Sequence, residues 1–136
     1  MIPVKLYTAG LVVLKESKLL LAFSNNKKAW YLPGGKIDGH ETSHEAIIRE
    51  IGEELGIILD TDLLTFYCHI TAPAYGEDSS VIMEQDCFRY EMKETIYPAN
   101  EIGDVDFFDQ ADYAKQGAQV PGVLQLFEVL IADGLI

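Results

Sequence analysis

The sequence predicts an α/β fold in which a mixed β-sheet is packed between helices. Three observations lead there. Apolar, β-branched runs recur at "VKLYTAGLVVL" (Val4 to Leu14), "LLLAF" (Leu19 to Phe23), "LLTFYCHITA" (Leu63 to Ala72) and "VIMEQDCFRYEM" (Val81 to Met92), and each reads as a strand. One central segment, His44 to Leu55, repeats its apolar residues at helical spacing. A second, from Pro121 to about Ala132, does so at the end of the chain.

In order, the first strand is followed by a hairpin turn at Lys15-Glu-Ser-Lys18, a returning strand, and the polar loop Ser24 to Lys28. "AWYL" is a short extended piece closed by Pro33-Gly34-Gly35. Lys36 to Thr42 has turn chemistry around Asp38-Gly39. Ser43 or Thr42 can cap the helix that follows, and Thr42 with Glu45 three residues on matches a capping box. Gly56 is a natural stop for that helix. After the Leu63 to Ala72 strand, Pro73 to Ser80 is a loop leading to the long strand Val81 to Met92. Asp104 to Phe108 reads as a short strand and Ala111 to Gln116 as a short helix. Pro121 suits the first turn of the last helix, with Val123, Leu124, Phe127, Leu130 and Ile131 as its core stripe.

At 136 residues, the chain reads as a single domain, 1–136, with no internal repeat or linker. It has no apolar run long enough to span a bilayer. Its start lacks the basic, apolar, small-residue order of a secretory signal, and Cys68 and Cys87 show no metal spacing. The expectation is a cytoplasmic protein with two reduced thiols, a cross-strand disulfide being the alternative. The net charge of −12 argues against binding a long nucleic acid, which requires Lys and Arg to neutralise phosphates. A small phosphorylated ligand remains compatible if a bound dication supplies the positive charge.

The central helix raises the sharpest question. At roughly 100° per residue, Ile47, Ile48, Ile51 and Leu55 form a core stripe, and Glu50, Glu53 and Glu54 gather beside it. Like charges at these spacings repel by roughly 0.2–0.5 kcal/mol per pair. Gly52 weakens the same turn, and the C-terminal end of the helix dipole disfavours anions. Arg49 is the only cation on the helix. A solvated acidic helix end is one reading. The other is a hard divalent cation, which takes oxygen ligands from a few carboxylates, water and substrate phosphate.

The surrounding residues decide between them. Gly35, five intervening residues, Glu41, seven more, then Arg49-Glu50-Ile51, any residue, Glu53-Glu54, any residue, Gly56-Ile57 resembles the signature of the Nudix hydrolases at every fixed position. "AWYLPGG" resembles the run that leads into it. The resemblance implies an α/β/α sandwich over most of the chain. It also implies a hydrolase that cleaves the pyrophosphate bond of a nucleoside diphosphate linked to another group, such as a nucleoside triphosphate or a nucleotide derivative, with Mg2+ or Mn2+ as cofactor. By position, Glu50, Glu53 and Glu54 match the metal-binding and base-supplying glutamates, and Gly35 a glycine that helps hold the metal. Glu41 matches the glutamate that orients the helix, and Arg49 its pairing arginine. Glu53 or Glu50 is the expected base; Glu101 and Asp104 are candidates if a later loop supplies it. A homodimer is implied by resemblance alone. The alternative is a non-catalytic Nudix-fold module that senses a nucleotide or binds a protein; a cation-binding loop without hydrolysis lacks its Asp/Asn pattern.

Weaker candidates surround this core. Lys36 could reach a phosphate. Arg89 could do so too, or make a cross-strand ion pair. Tyr75 could stack on a base or simply face solvent, and Trp30 could line a pocket or pack inside. His40, His44 and His69 have no zinc spacing, and His40 and His44, which flank the signature, read as surface residues.

Overall fold

The computed structural model describes residues 4–136, so Met1 to Pro3 of the N-terminal reading lie outside the described residues. The elements are β1 (Val4–Val12), β2 (Leu14–Lys15), β3 (Lys18–Ser24), β4 (Ala29–Tyr31), β5 (Gly34–Lys36), α1 (Ser43–Leu55), β6 (Thr65–Pro73), β7 (Val81–Arg89), β8 (Ile102–Phe108), α2 (Gln110–Ala114) and α3 (Pro121–Ala132). The first sheet runs β5-β1-β7-β6; β1 and β7 are parallel, and the outer pairs are antiparallel. The second runs β2-β3-β4, with β8 also paired to β3.

The uninterrupted apolar run of β3 has a simple cause. Leu20 and Ala22 enter one buried cluster with Ile47, Ile51 and Leu55 of α1, while Leu19 and Leu21 enter another with Val123, Leu126, Phe127 and Leu130 of α3. Successive side chains point to opposite sides of a strand, and both sides are covered, so no position is left for a polar residue. Leu11 and Val12 of β1 divide the same way. This is the sandwich expected, with α1 against β1 and β5, and α3 against β6.

Several local readings shift. The strand expected from Val4 to Leu14 breaks at Val13, because β2 turns off to pair with β3. Gly34-Gly35 is itself a strand, β5, rather than only a stop. Thr42, not Ser43, caps α1: its hydroxyl accepts from the Glu45 amide at 3.1 Å, and Glu45 Oε1 accepts from the Thr42 amide at 2.9 Å. Gly56 closes the helix with φ 66°, a left-handed geometry that glycine adopts without strain. In α3, Leu124 and Ile131 are exposed, and Leu126 replaces them in the stripe. The sequence stripe shares 123, 127 and 130 with this buried set but takes in 124 and 131 and omits 126, because both sets keep helical spacing and differ only by a small rotation about the helix axis.

Three substitutions test this packing and the cap. Leu126→Ala should lose 2–5 kcal/mol or so of unfolding free energy in urea, while Leu124→Ala stays within about 0.5 kcal/mol of the parent. Thr42→Ala should lose about 1 kcal/mol by removing the cap; equal loss from both leucines would mean that the exposed and buried faces of α3 are assigned wrongly.

Candidate active site

Arg49 organises the acidic cluster. Its Nε and Nη2 donate to the two Glu41 oxygens at 2.7 and 2.9 Å, a bidentate pair. Nη1 donates to Glu50 Oε1 at 3.0 Å and to Glu53 Oε2 at 3.3 Å, and Nη2 also reaches the Lys36 carbonyl at 3.1 Å. Asp38 lies 3.4 Å away. The Arg49 hydrogen bonds, with the Asp38 amide and the Arg49 charge in support, hold the Glu41 carboxyl down at about 2. One guanidinium therefore ties the loop after β5 to the second half of α1.

The three helix glutamates, alike in sequence, differ in place. Glu54 is buried, and its Oε1 accepts from the Gly34 amide at 2.9 Å. Burial, only partly offset by that hydrogen bond and reinforced by Glu50, Glu101 and Glu53, pushes its carboxyl up to about 8. Glu50 is half-buried, and burial raises its pKa despite Arg49. Glu53 is exposed. Gly35 is where it is because Glu50 is there: a Cβ on Gly35 would sit 2.6 Å from the Glu50 carboxylate. Gly34 has φ 138°, and a Cβ there would meet the Ala9 carbonyl oxygen at 2.0 Å, so only glycine lets β5 approach β1 this closely. The C-terminal end of α1 is less hostile to anions than its dipole suggests. The Tyr97 and Ala99 amides and the Asn100 side chain donate to the carbonyls of Leu55, Glu54 and Glu53, each at 2.9 Å.

These residues border a cleft of about 640 Å³. Asp38, Glu50, Glu54, Glu77 and Glu101 line it, against Lys27 and Lys36. Tyr75 lines it too, edge-on to Tyr31 with ring centres 6.1 Å apart. Glu41, Arg49 and Glu53 stand behind or beside the lining. Asp104 is on β8, accepting from the Val105 amide at 2.8 Å, away from the cleft. Arg89 is not brought to it: it sits at the far end of β7 over the Tyr67 ring, 5.9 Å from its centre. Trp30 packs between Phe23 and Phe108. Cys68 and Cys87 face each other across β6 and β7 as free thiols. Sequence reasoning missed Thr8, Lys27, Tyr31 and Gln85; scattered over four segments, they carry no spacing signal. Among the described residues, no three His, Cys, Asp or Glu side chains are arranged to hold a metal as they stand, since Glu53 is turned to Arg49.

The family model of the NUDIX domain matches residues 4–127. The chain belongs to the NUDIX domain family. An ADP-ribose pyrophosphatase of Methanocaldococcus jannaschii is 31% identical over 108 residues, which is 76% of this chain and 62% of that protein. The chain spans less than two thirds of that NUDIX relative. The fold is shared with the MutT protein of Methanosarcina mazei, at TM-score 0.77 and 17% identity over 98% of both chains. It is also shared with a bifunctional NMN adenylyltransferase/ADP ribose pyrophosphatase of Francisella tularensis complexed with AMP and a manganese ion, at TM-score 0.70 and 21% identity over 96% of this chain and 42% of that one. No helix among the described residues is long and apolar enough to cross a membrane.

The raised Glu54 pKa has a direct consequence for this NUDIX domain. The unfolded chain loses that proton near 4.5 and the folded chain near 8. Between these values the folded state holds a proton that the unfolded state has released, so folding is favoured at the acid side and loses stability as pH rises. In chelator, the melting temperature of the parent should fall from pH 5 to pH 8.5, and Glu54→Gln, which keeps an acceptor for Gly34, should flatten that fall. Parallel curves for the two proteins would show that the Glu54 charge is not what destabilises the folded state at high pH.

Proposed function

We propose that this NUDIX domain is a metal-dependent pyrophosphohydrolase acting on a nucleoside diphosphate linked to another group, a nucleoside triphosphate or a nucleotide derivative. The observation that carries this reading is the charge of the cleft. Five carboxylates and two lysines line a cavity of nucleotide size, so a polyphosphate needs a dication to enter it. The donors on offer, Glu50, Glu53, Glu54 and the Gly35 carbonyl, are all oxygens, which suits Mg2+ or Mn2+. The two carboxyls held above their usual pKa, Glu50 and Glu54, are those a cation would bring back to charge. Glu53 would leave Arg49 to join them.

When bound, the cation supplies neutralisation of the phosphates, polarisation of the reacting phosphoryl group and acidification of water. The chain's own residues do the rest. Glu53 or Glu50 takes the proton of the attacking water. Gly34 fixes the Glu54 carboxylate through its amide. Glu41 holds Arg49, and Arg49 holds Glu50, so that neither carboxylate drifts from the cleft. Lys36 meets a phosphate oxygen, and Tyr75 with Tyr31 forms an aromatic wall for the base.

A panel of nucleotides, sugar-linked nucleoside diphosphates and dinucleoside polyphosphates should release phosphate, pyrophosphate or monophosphate with Mg2+ or Mn2+ and none in chelator. Glu53→Gln and Glu54→Gln should each lose at least about 100-fold in kcat, the scale for removing an acid–base group or metal ligand, while Lys18→Ala on the far surface changes nothing. Tight nucleotide binding without turnover in the parent protein would point instead to a sensing module.

A further inference from the structure

The Thr8 hydroxyl is the one buried side-chain polar atom among the described residues that has no hydrogen-bond partner. Thr8 is 7% exposed and lines the cleft. Gln85, 9% exposed, is its neighbour across the parallel β1–β7 pair and lines the same wall. Of the Gln85 amide, only the oxygen has a hydrogen-bond partner, the Cys87 thiol at a long 3.8 Å; its nitrogen has none among the described residues. Space for that amide is reserved: a Cβ on Gly10 would lie 3.0 Å from Gln85 Nε2 and 2.4 Å from Leu32 Cδ2. Around the pair the lining is apolar, with Leu6, Leu32, Met83 and Val120, and the Tyr31–Tyr75 pair borders it. A folded protein rarely leaves a buried hydroxyl unbonded, because the lost hydration costs about 1–3 kcal/mol.

We propose that Thr8 and Gln85 read the edge of the substrate's nucleobase, and that the base they take presents a carbonyl oxygen, as guanine and uracil do. This rests on the nucleotide reading above and names its substrate class. The Cys87 thiol lies on the oxygen side of the Gln85 amide, which leaves the nitrogen as a donor, and the Thr8 hydroxyl donates after rotation about Cβ–Oγ1. Two donors at paired positions of adjacent strands, lining one cleft, suit one oxo group. The exocyclic amine of adenine would set donor against donor at Gln85. The flat apolar surroundings suit a ring held by its faces, while the pair supplies the polar contacts that select among rings.

The test uses nucleosides, which need neither metal nor hydrolysis. Guanosine, uridine and adenosine are titrated into isotopically labelled protein, and the Gln85 side-chain amide is followed by NMR. Guanosine or uridine should shift that signal with an affinity about 10-fold above adenosine, the worth of one hydrogen bond. Thr8→Val, close in shape, should remove that preference and leave the melting temperature of the free protein unchanged or higher, because its hydroxyl bonds nothing there. Gln85→Met should abolish the preference as well. Adenosine binding as well as guanosine, no nucleoside reaching the Gln85 amide, or a fall in melting temperature for Thr8→Val with the preference intact, would each overturn the assignment. Failure of hydrolysis across the nucleotide panel, with guanosine still selected, would sink the enzymatic reading and spare this one.

Discussion

The site depends on the fork of Arg49. A planar guanidinium offers five N–H donors in fixed directions, and here they reach Glu41, Glu50, Glu53 and the Lys36 backbone at once. A lysine at that place would bring the same charge but could not grip Glu41 with two parallel bonds while holding Glu50 on the other side. The capping box at the start of α1 and the Glu41 contact then act together: Thr42 fixes where the helix begins, and Arg49 fixes the loop before it against the helix two turns on. The cluster of like charges that looks unstable in isolation is thus partly neutralised by a single cation at its centre.

What Arg49 does not neutralise is the side of the cluster that faces the cleft. Glu54 is buried with only a backbone amide for a partner, and Glu50 is half-buried against the Gly35 backbone. Both glycines serve proximity. Gly34 lets β5 lie against β1, and Gly35 leaves room for a carboxylate where any other residue would place a carbon. The result is a wall of backbone and carboxylate oxygens with protons held above their ordinary pKa. Such a wall is unfavourable for the empty protein and suited to a cation, a trade of stability for function.

The opposite side of the cleft is built from the sheet, not from the helix. Thr8 and Gln85 come from adjacent parallel strands, and the aromatic pair comes from β4 and the β6–β7 loop. On the proposed reading, the pyrophosphate chemistry and the choice of base would therefore rest on different elements, α1 with β5 for the one and β1 with β7 for the other.

The sequence alone was enough to locate the acidic helix, its stop and the arginine within it, and to narrow its cap to Thr42 or Ser43, because these depend on spacing along one chain segment. A mixed sheet between helices was legible as well, from the apolar strand runs and the two segments of helical spacing, whereas the cover on both faces of Leu19 to Ala22 was not. Other features lay beyond it. Glu50, Glu53 and Glu54 look alike in a list, and only packing against β5 buries one, half-buries another and leaves the third in water. Lys36 and Arg89 were equal candidates for a phosphate until the β1–β7 register put Arg89 at the far end of the strand. Thr8 and Gln85 are separated by more than half the chain, and nothing local marks either one. Their pairing exists because two strands run parallel in one register, and a hydroxyl becomes an orphan only when the rest of the fold has removed its water.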